Sequence, residues 1–381
     1  MATDGSVVPF GGRVNRTFDC QDEKTKRQSV DTARRAGERG PMRIGLIGTG
    51  RIGTLHARTL DAHPEVSGLV VADADAARAH ETAAALVATA VPGVPDLFDA
   101  DLDAVVIASA TASHAELIRA AARRGLPAFC EKPIALDPAG TRAALADVAA
   151  AGTLLQIGFM RRFDAGYTAA REAVRTGRLG RLHTVRAMTS DPAPPPAAYL
   201  PHSGGLYRDC LVHDFDAVRW VTGREIVSVH ATGSAAGPAM FAEAGDVDTA
   251  AALLTLDDGT LCTATATRMN GAGYDVRMEL AGERDQFAVG LDARTPLTSL
   301  EPAAPPPPER PWPGFLERFK PAYEAEIDAF VRALRGEIPN PCDGREALAA
   351  LLAAEACELS RATGVPVAPA ALDGAEHSRA G

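Results

Sequence analysis

The sequence predicts two folded domains: an α/β domain with a parallel sheet, then an α+β domain whose large open sheet is mainly antiparallel. The first prediction rests on short apolar strands that alternate with helices over residues 42–160, as in doubly wound sheets. The second rests on closely spaced strands between residues 182 and 289, two of them joined by the hairpin turn Asp258-Gly259. A chain of 381 residues that is 46% hydrophobic is long enough to bury both cores.

Composition excludes several classes of partner. The net charge of -10 opposes binding to a phosphate backbone, so no nucleic-acid partner is predicted. No apolar run reaches the ~20 residues that a membrane span requires. The cysteines have no CxxC or zinc-like spacing, and His, Cys and acidic residues show no metal-ligand pattern, so we predict reduced thiols, a cytoplasmic protein and no metal.

Both ends of the chain differ from the part between them. Residues 1–41 mix charge, glycine and small polar residues without an apolar period, which predicts a disordered extension. The sequence leaves open whether translation starts at Met1 or at Met42. The acidic residues of segment 1–41 disfavour a targeting peptide. We expect the first folded domain over 42–160, the second over 161–368, and a flexible tail over 369–381.

The first predicted strand, Arg43–Ile47, leads through a glycine-rich loop into a helix. The loop Gly48-Thr49-Gly50-Arg51-Ile52-Gly53 has the pattern GxGxxG, whose glycines permit a tight turn and a close approach of the backbone to a pyrophosphate. The start of the helix offers free amides and a positive dipole end to the phosphates. This context predicts a Rossmann dinucleotide-binding domain, with the cofactor contacted by Gly48, Gly50, Arg51, Ile52 and Gly53.

The second predicted strand, Val66–Ala72, ends in an acidic residue. Asp73 lies roughly 20 residues after the last motif glycine, where a carboxylate binds the ribose hydroxyls of the adenosine and repels a 2′-phosphate. NAD is therefore the predicted cofactor. NADP stays open, because Asp75 could be the acid instead and Arg51 could reach a 2′-phosphate.

Two more strands end at the same edge of the sheet. The predicted strand Asp103–Ser109 brings Ser109 there, and Ala128–Cys130 brings Glu131-Lys132-Pro133. Ligands of such sheets bind beyond the carboxyl ends of the strands, so Ser109, Glu131 and Lys132 are expected at the cofactor. A lysine in that position can donate to a substrate hydroxyl and stabilise an alkoxide.

Two histidines belong to the predicted helices of this domain. His114 follows Ser109 closely, so it lies either near the nicotinamide or at the cap of the next helix. His56, in the first helix, is assigned to packing.

Residues 206–222 are predicted to form one helix that follows Gly204-Gly205 and ends at Gly223. Asp209 and His213 lie four residues apart on it and share a face. A carboxylate beside an imidazole raises its basicity, which suits a general base near neutral pH. The alternative interpretation is a solvated helix face with an unrelated aspartate and histidine.

The second domain is predicted to begin with a helix over 163–176 and to end with helices over 312–335 and 343–363. Its strands are expected at Leu182–Met188, Ile226–Thr232, Thr249–Leu256, Leu261–Thr267, Tyr274–Leu280 and Gln286–Val289. In Leu261–Thr267 a leucine and three threonines alternate with Cys262, Ala264 and Ala266. This alternation predicts that one face of the strand packs on helices and that the other face meets something else.

In this order the motifs resemble the Gfo/Idh/MocA oxidoreductases, and among them most closely the inositol 2-dehydrogenases. The resemblance runs from about Met42 to about Gly364. Glu131-Lys132-Pro133 is the mark of the superfamily. The inositol branch is indicated by GFMRRFD at 158–164, RDCLVHDFD at 208–216 and GYDVR at 273–277.

The resemblance implies a catalytic group of Lys132, Asp209 and His213, with Arg162 and Tyr274 beside them in the substrate pocket. The implied reaction is the NAD-dependent oxidation of a secondary alcohol of a cyclitol similar to myo-inositol. A sugar or aminocyclitol dehydrogenase is the alternative within the family, and a non-catalytic dinucleotide-binding sensor is the alternative from another class.

The resemblance also implies that the open sheet pairs with another subunit, so a homodimer or homotetramer is expected. The sequence departs from the family in its N-terminal extension and in two proline-rich segments, 192–201 and 302–313. The first of these segments lies just before the predicted catalytic helix and leaves the identity of the substrate open.

Overall fold

The computed structural model describes residues 40–373. The predicted extension over 1–41 and the tail beyond residue 373 lie essentially outside this range. No helix in the described part is long and apolar enough to cross a membrane. Its five cysteines are free and buried. Residues Pro369–Leu372, expected in the tail, form a 3-10 turn whose end residues are buried, so the chain packs further than predicted.

The first sheet has six parallel strands in the order β3-β2-β1-β4-β5-β6, which is the Rossmann order. The strands are β1 Met42–Ile47, β2 Val66–Ala72, β3 Ala88–Ala90, β4 Ala104–Ile107, β5 Ala128–Glu131 and β6 Leu155–Gly158. Helices α1 Arg51–Asp61, α2 Ala76–Ala84, α3 Val94–Phe98, α4 Thr111–Arg123 and α5 Pro138–Ala151 connect them. The predicted α/β domain is confirmed.

Strand β3 and helix α3 were not predicted. Helix α2 ends at Ala84, and Ala88–Ala90 pair with Leu69–Val71 of β2. A strand of three residues is too short to show the alternation of apolar and polar residues by which strands are recognised in a sequence. Pairing with β2 stabilises the extended conformation of these residues despite their helical propensity.

The second sheet also has six strands, in the order β12-β11-β7-β10-β9-β8. They are β7 Leu182–Ser190, β8 Ile226–Ser234, β9 Thr249–Leu256, β10 Leu261–Thr267, β11 Asp275–Gly282 and β12 Gln286–Val289. Every neighbouring pair is antiparallel except β7 and β10, which run parallel. Gly259 makes the predicted hairpin turn with a φ of 85°. The mainly antiparallel open sheet is therefore confirmed.

One face of this sheet is covered and the other is open in the single chain. The helices of the second domain are α6 Ala165–Arg175, α7 Leu200–Ser203, α8 Val212–Thr222, α9 Ala239–Glu243, α10 Phe315–Leu334 and α11 Gly344–Thr363. Cys262, Ala264 and Ala266 of β10 are buried on the helix side. On the other side Leu253 and Leu261 are each 48% exposed. The alternation expected from the sequence is present.

Helix α10 links the two domains, because its apolar side packs behind the first sheet. Ile327, Phe330 and Val331 share a buried cluster with Phe129 of β5. The end of β5 is thereby held from behind by a helix that belongs to the second half of the chain.

Candidate active site

The glycine loop after β1 has the shape that a dinucleotide needs. Gly48 has a φ of +96°, and a Cβ there would lie 2.6 Å from Ser109 Cα. A Cβ on Gly53 would lie 1.9 Å from the Gly48 oxygen, so α1 can approach β1 only with glycine there. The nearest neighbour of a Cβ on Gly50 is 3.5 Å away, and no side chain caps α1. The first amides of α1 are thus available to a phosphate.

The side chains of the loop point toward the second half of the chain. Ile52 packs against the core of the second domain. The Arg51 guanidinium lies 5.4 Å from the centroid of the Phe315 ring. The cation beside Asp73 is instead Arg78, which helps to lower the pKa of that carboxyl and which the sequence did not single out.

Asp73 is held at the end of β2 as an ionised acid. Its Oδ2 accepts hydrogen bonds from Thr49 N at 2.6 Å and Thr49 Oγ1 at 2.8 Å, and its Oδ1 accepts one from Asp75 N at 2.9 Å. Burial acts to raise the pKa of Asp73, but these hydrogen bonds outweigh it and the pKa is lowered. Asp75 caps α2 by accepting from Ala77 N, so Asp73 is the better candidate for the ribose acid.

His114 joins two strand ends. Its Nδ1 lies 2.8 Å from Pro133 O and its Nε2 lies 3.0 Å from Ser109 O, with the ring fully buried. The N-cap of α4 is Ala110, so the capping role considered for His114 is wrong. Ser109 Oγ lies 2.7 Å from Ser113 Oγ. His114 therefore ties the end of β4 to the segment that carries Lys132.

Lys132 meets Asp209 across the two domains. Its ammonium donates to Asp209 O at 2.8 Å and to Asp209 Oδ1 at 3.3 Å, and the side chains are 15% and 14% exposed. Asp209 lies in a π-helical turn, Tyr207–Leu211, that runs directly into α8. The helix predicted over 206–222 is present, and its first turn has the wider geometry often found at functional sites.

The carboxylate of Asp209 is occupied by donors other than His213. Arg268 Nη2 donates to Oδ2 at 2.7 Å, and the Tyr199 hydroxyl donates to Oδ1 at 3.1 Å. Burial acts to raise the pKa of Asp209, but Lys132 and Arg268 outweigh it and lower that pKa. The expectation that Asp209 makes His213 more basic is therefore wrong, because cations already neutralise this carboxylate.

His213 is nevertheless in the state that a base requires. Burial lowers the pKa of His213 well below 6.5, and the positive charges of Lys132 and Arg161 lower it further. The ring packs edge-on against Phe159, with centroids 5.8 Å apart. Its buried Nδ1 has no hydrogen-bond partner within residues 40–373. The imidazole is thus neutral at neutral pH.

Arg162, expected in the substrate pocket, lies in another network. Its guanidinium binds Asp216 Oδ1 at 2.6 Å and Glu346 Oε2 at 2.9 Å. The neighbouring Arg161 pairs with Asp214 Oδ1 at 2.7 Å, and its charge is one of those that lower the pKa of His213. Successive side chains of the 3-10 turn Met160–Phe163 point about 120° apart, so the two adjacent arginines enter different surroundings.

Tyr274 is buried close to the same charges. Burial raises the pKa of its hydroxyl, and the nearest charges include Arg161 and Asp191. Asp191 accepts a hydrogen bond from Arg268 Nη1 at 3.1 Å, and burial raises its pKa against the opposing effect of Arg268.

Sequence reasoning missed Asp191, Arg268 and Tyr199. Asp191 directly follows β7 and Arg268 directly follows β10, and these parallel strands pair at Ser190 and Thr267. The rule that located Lys132, that parallel strands deliver their next residues to one place, also applies to this pair, but a sheet predicted as mainly antiparallel did not reveal it. Tyr199 lies in the proline-rich segment 192–201, which departs from the family.

Glu131 turns away from this cluster. Its Oε1 lies 2.8 Å from Nε2 of the buried His56, so His56 does more than pack. Glu131, His56 and Glu326 bring their ligand atoms within 4.8 Å of one another. The expectation that histidine and acidic residues do not come together at the spacing of metal ligands is therefore wrong for these three residues.

A glycine loop shaped for a pyrophosphate, an acid for the ribose, and a lysine beside a neutral histidine define a nicotinamide-dependent oxidoreductase. Residues 42–159 match the family described as "Oxidoreductase family, NAD-binding Rossmann fold", and residues 167–288 match "GFO/IDH/MocA C-terminal domain". The chain belongs to the Gfo/Idh/MocA oxidoreductase family, and its first domain is an NAD-binding Rossmann domain.

Relatives and solved structures agree with this assignment. The chain is 40% identical over 335 residues to a myo-inositol dehydrogenase of Streptomyces leeuwenhoekii, a match that covers 86% of this chain and 100% of the relative. A scyllo-inositol dehydrogenase from Lactobacillus casei, solved with NAD(H) and scyllo-inositol, is 30% identical with a TM-score of 0.79, covering 87% of this chain and 99% of that one. A putative myo-inositol dehydrogenase from Sinorhizobium meliloti is 35% identical with a TM-score of 0.79, covering 86% and 99%.

Proposed function

We propose that this protein is an NAD-dependent dehydrogenase that oxidises a secondary hydroxyl of a cyclitol such as myo-inositol. The observation that carries the proposal is the contact between Lys132 and Asp209 next to the neutral His213. The names of the relatives support a cyclitol as the substrate.

In this proposal His213 is the general base that takes the proton from the reacting hydroxyl. Its lowered pKa keeps it unprotonated and able to accept. Lys132 donates a hydrogen bond to the same oxygen and stabilises the negative charge that develops there. Bound NAD supplies the hydride acceptor. In the reverse direction the same residues return the proton.

Asp209 positions the lysine and offers its carboxylate to a substrate hydroxyl. Arg268 and Tyr199 hold that carboxylate in place. Tyr274 and Asp191 add a hydroxyl and a carboxyl group close by. A polyol with many hydroxyl groups suits such a lining of donors and acceptors.

Two alternatives are carried by the same site. A sugar or aminocyclitol dehydrogenase would use the same three groups on a different ring. A dinucleotide-binding sensor would need none of them, and the proximity of Lys132, Asp209 and a neutral His213 disfavours it.

The test is a screen of cofactor reduction over cyclitols and aldoses, run with NAD and with NADP. We expect NADH formation with at least one inositol isomer. Turnover confined to aldoses or aminocyclitols would select the first alternative. Tight NADH binding without turnover of any compound would select the sensor.

We further propose that the protein works in the cytoplasm as a homodimer or homotetramer that uses the open face of the second sheet. The half-exposed Leu253 and Leu261 on that face support an interface, because removing apolar side chains from water lowers the free energy. The free thiols of the described chain suit a reducing compartment.

A further inference from the structure

A buried group of polar side chains surrounds Glu131, the residue before Lys132. His56 comes from α1, Glu131 ends β5 and Glu326 comes from α10. His56 and Glu326 have no exposed surface. Because successive residues of a strand point to opposite faces, the Glu131 side chain reaches this group while Lys132 reaches Asp209.

Several atoms in this layer lack partners. Both carboxyl oxygens of Glu326 and Nδ1 of His56 have no hydrogen-bond partner within residues 40–373. Gln156 of β6 donates Nε2 to the main-chain oxygen of Glu326 at 3.0 Å, while its own Oε1 also lacks a partner in that range. A buried carboxylate without donors is strongly unfavourable, whereas a protonated carboxyl group brings a donor of its own.

The charges around Glu326 favour the protonated form. The charged group that faces Glu326 is the carboxylate of Glu131. The adjacent Lys132 does not neutralise this carboxylate, because its ammonium is paired with Asp209. Burial raises the pKa of Glu326 well above its usual range, and the Glu131 carboxylate raises it further. Tyr323, one turn earlier on α10, faces both carboxyl groups and is itself neutral because burial raises its pKa.

The surroundings of Glu131 and His56 are closely built. A Cβ on Gly158 of β6 would lie 2.9 Å from Cζ of Phe129 and 3.1 Å from Oε2 of Glu131, so a larger residue there would crowd the carboxylate. Phe129 and Tyr323 place their ring centroids 5.3 Å and 6.0 Å from that of His56. A carboxyl oxygen of Glu326 lies within 4.8 Å of the ligand atoms of both His56 and Glu131.

We propose that Glu326 is a positioning residue, a neutral carboxyl group that keeps Glu131 against His56 and thereby fixes the main chain that carries Lys132. Its proton is available to the Glu131 carboxylate or to the free Oε1 of Gln156. The kinetic part of this inference rests on the proposed dehydrogenase function, and the part concerning the proton does not.

The proton is tested by infrared spectroscopy of the purified full-length protein at neutral pH. The wild type should show the carbonyl band of a protonated carboxyl group, and Glu326→Gln should remove it. The matched control is Glu324→Gln, on the same helix and paired with Lys320, which should leave the band unchanged. A band that survives in Glu326→Gln, or a wild type without one, overturns the proposal.

The positioning role is tested by kinetics with NADH affinity measured in parallel. Glu326→Gln keeps the shape and neutrality, so kcat should stay within about threefold of the wild type. Glu326→Ala should lower kcat by about tenfold or more while the Kd for NADH changes less than kcat. As the pH rises and the wild-type carboxyl ionises, its kcat/KM should fall relative to that of Glu326→Gln. The positioning role would be contradicted if Glu326→Gln and Glu326→Ala lost kcat equally. It would also be contradicted if the ratio of kcat/KM between the wild type and Glu326→Gln did not change with pH.

A cation in place of the proton is the competing occupant, because one imidazole and two carboxylates are also metal ligands. Metal analysis of the purified wild type should find less than one equivalent per chain. A stoichiometric divalent metal that disappears in Glu326→Gln would overturn the proposal. If no cyclitol is turned over, the infrared, metal and NADH-binding measurements still decide whether Glu326 is neutral.

Discussion

The charge state of His213 is the residue-scale property on which the proposed chemistry depends. The sequence suggested an imidazole made basic by Asp209, whereas the structure has an imidazole made less basic by burial and by the neighbouring cations. An imidazole of either kind can accept a proton when it is neutral. The two differ in the pKa of His213, and therefore in the pH below which it is protonated and no longer a base.

Replacing His213 with alanine should lower kcat for cyclitol oxidation by about 10²–10⁴, the usual contribution of a positioned acid–base group. The Kd for NADH should change little, because the glycine loop and Asp73 lie on other elements. His202→Ala, an exposed histidine shortly before the same helix, is the control. Near-normal turnover of the His213 variant would remove it from the mechanism.

The pH profile should report the lowered pKa of His213. The base must be neutral, and its pKa in the folded protein lies well below 6.5, so kcat/KM for oxidation should stay flat through the usual histidine range. It should fall only at more acidic pH, where the imidazole becomes protonated. An acid limb centred at or above about 6.5 would show that the proposed environment of His213 is wrong.

Asp73 should determine the preference for NAD. Asp73→Ser removes the carboxylate that repels a 2′-phosphate and leaves Arg78 nearby, so the ratio of kcat/KM for NAD to that for NADP should fall. Arg51→Ala is the matched comparison and should leave the ratio nearly unchanged, because its guanidinium packs on Phe315. Equal use of both cofactors by the wild type would contradict the assignment.

At the scale of elements, the active site is a meeting of strand ends from two sheets. Strand β5 brings Lys132, whereas the parallel pair β7 and β10 brings Asp191 and Arg268. The π-helical turn before α8 brings Asp209 between them. Arg268 pairs with both aspartates, so it connects the sheet to the helix.

Arg268→Ala should therefore damage turnover, although Arg268 was no sequence candidate. It removes the donor that holds Asp209 and leaves two carboxylates with less positive charge, so kcat/KM should drop by at least about tenfold, with a higher KM. Arg175→Ala, which breaks the exposed pair with Glu172 on α6, is the control. Steady-state kinetics on the substrate from the screen would decide, and equal values for the two variants would argue against this role.

At the scale of the whole molecule, the open face of the second sheet is the feature that a single chain leaves without a partner. We expect light scattering at micromolar concentration to give a mass well above the 39.7 kDa of one chain. Leu261→Glu should shift the mass toward the monomer, because a charge in a covered apolar face is unfavourable. Val87→Glu, an exposed site on the first domain, should not. A monomeric wild type would mean that this face is solvated.

The features that depend on neighbours along the chain could be predicted from the amino-acid sequence. These are the glycine loop with its flanking strand and helix, the delivery of Lys132 to a strand end, the helix that carries Asp209 and His213, and the alternation of β10. Each follows from backbone conformation and side-chain period, which a few consecutive residues specify. The roles of these residues in catalysis stay predictions.

Which charges meet could be known only from the folded chain. Lys132 and Asp209 are 77 positions apart, and Arg268 and Asp209 are 59 apart, so no local pattern records that this carboxylate binds cations instead of His213. The same holds for the choice of Arg161 over Arg162 and for the burial of Glu326 beside Glu131. The pKa of a side chain depends on burial and on charges a few ångströms away, and folding brings these together from distant parts of the sequence.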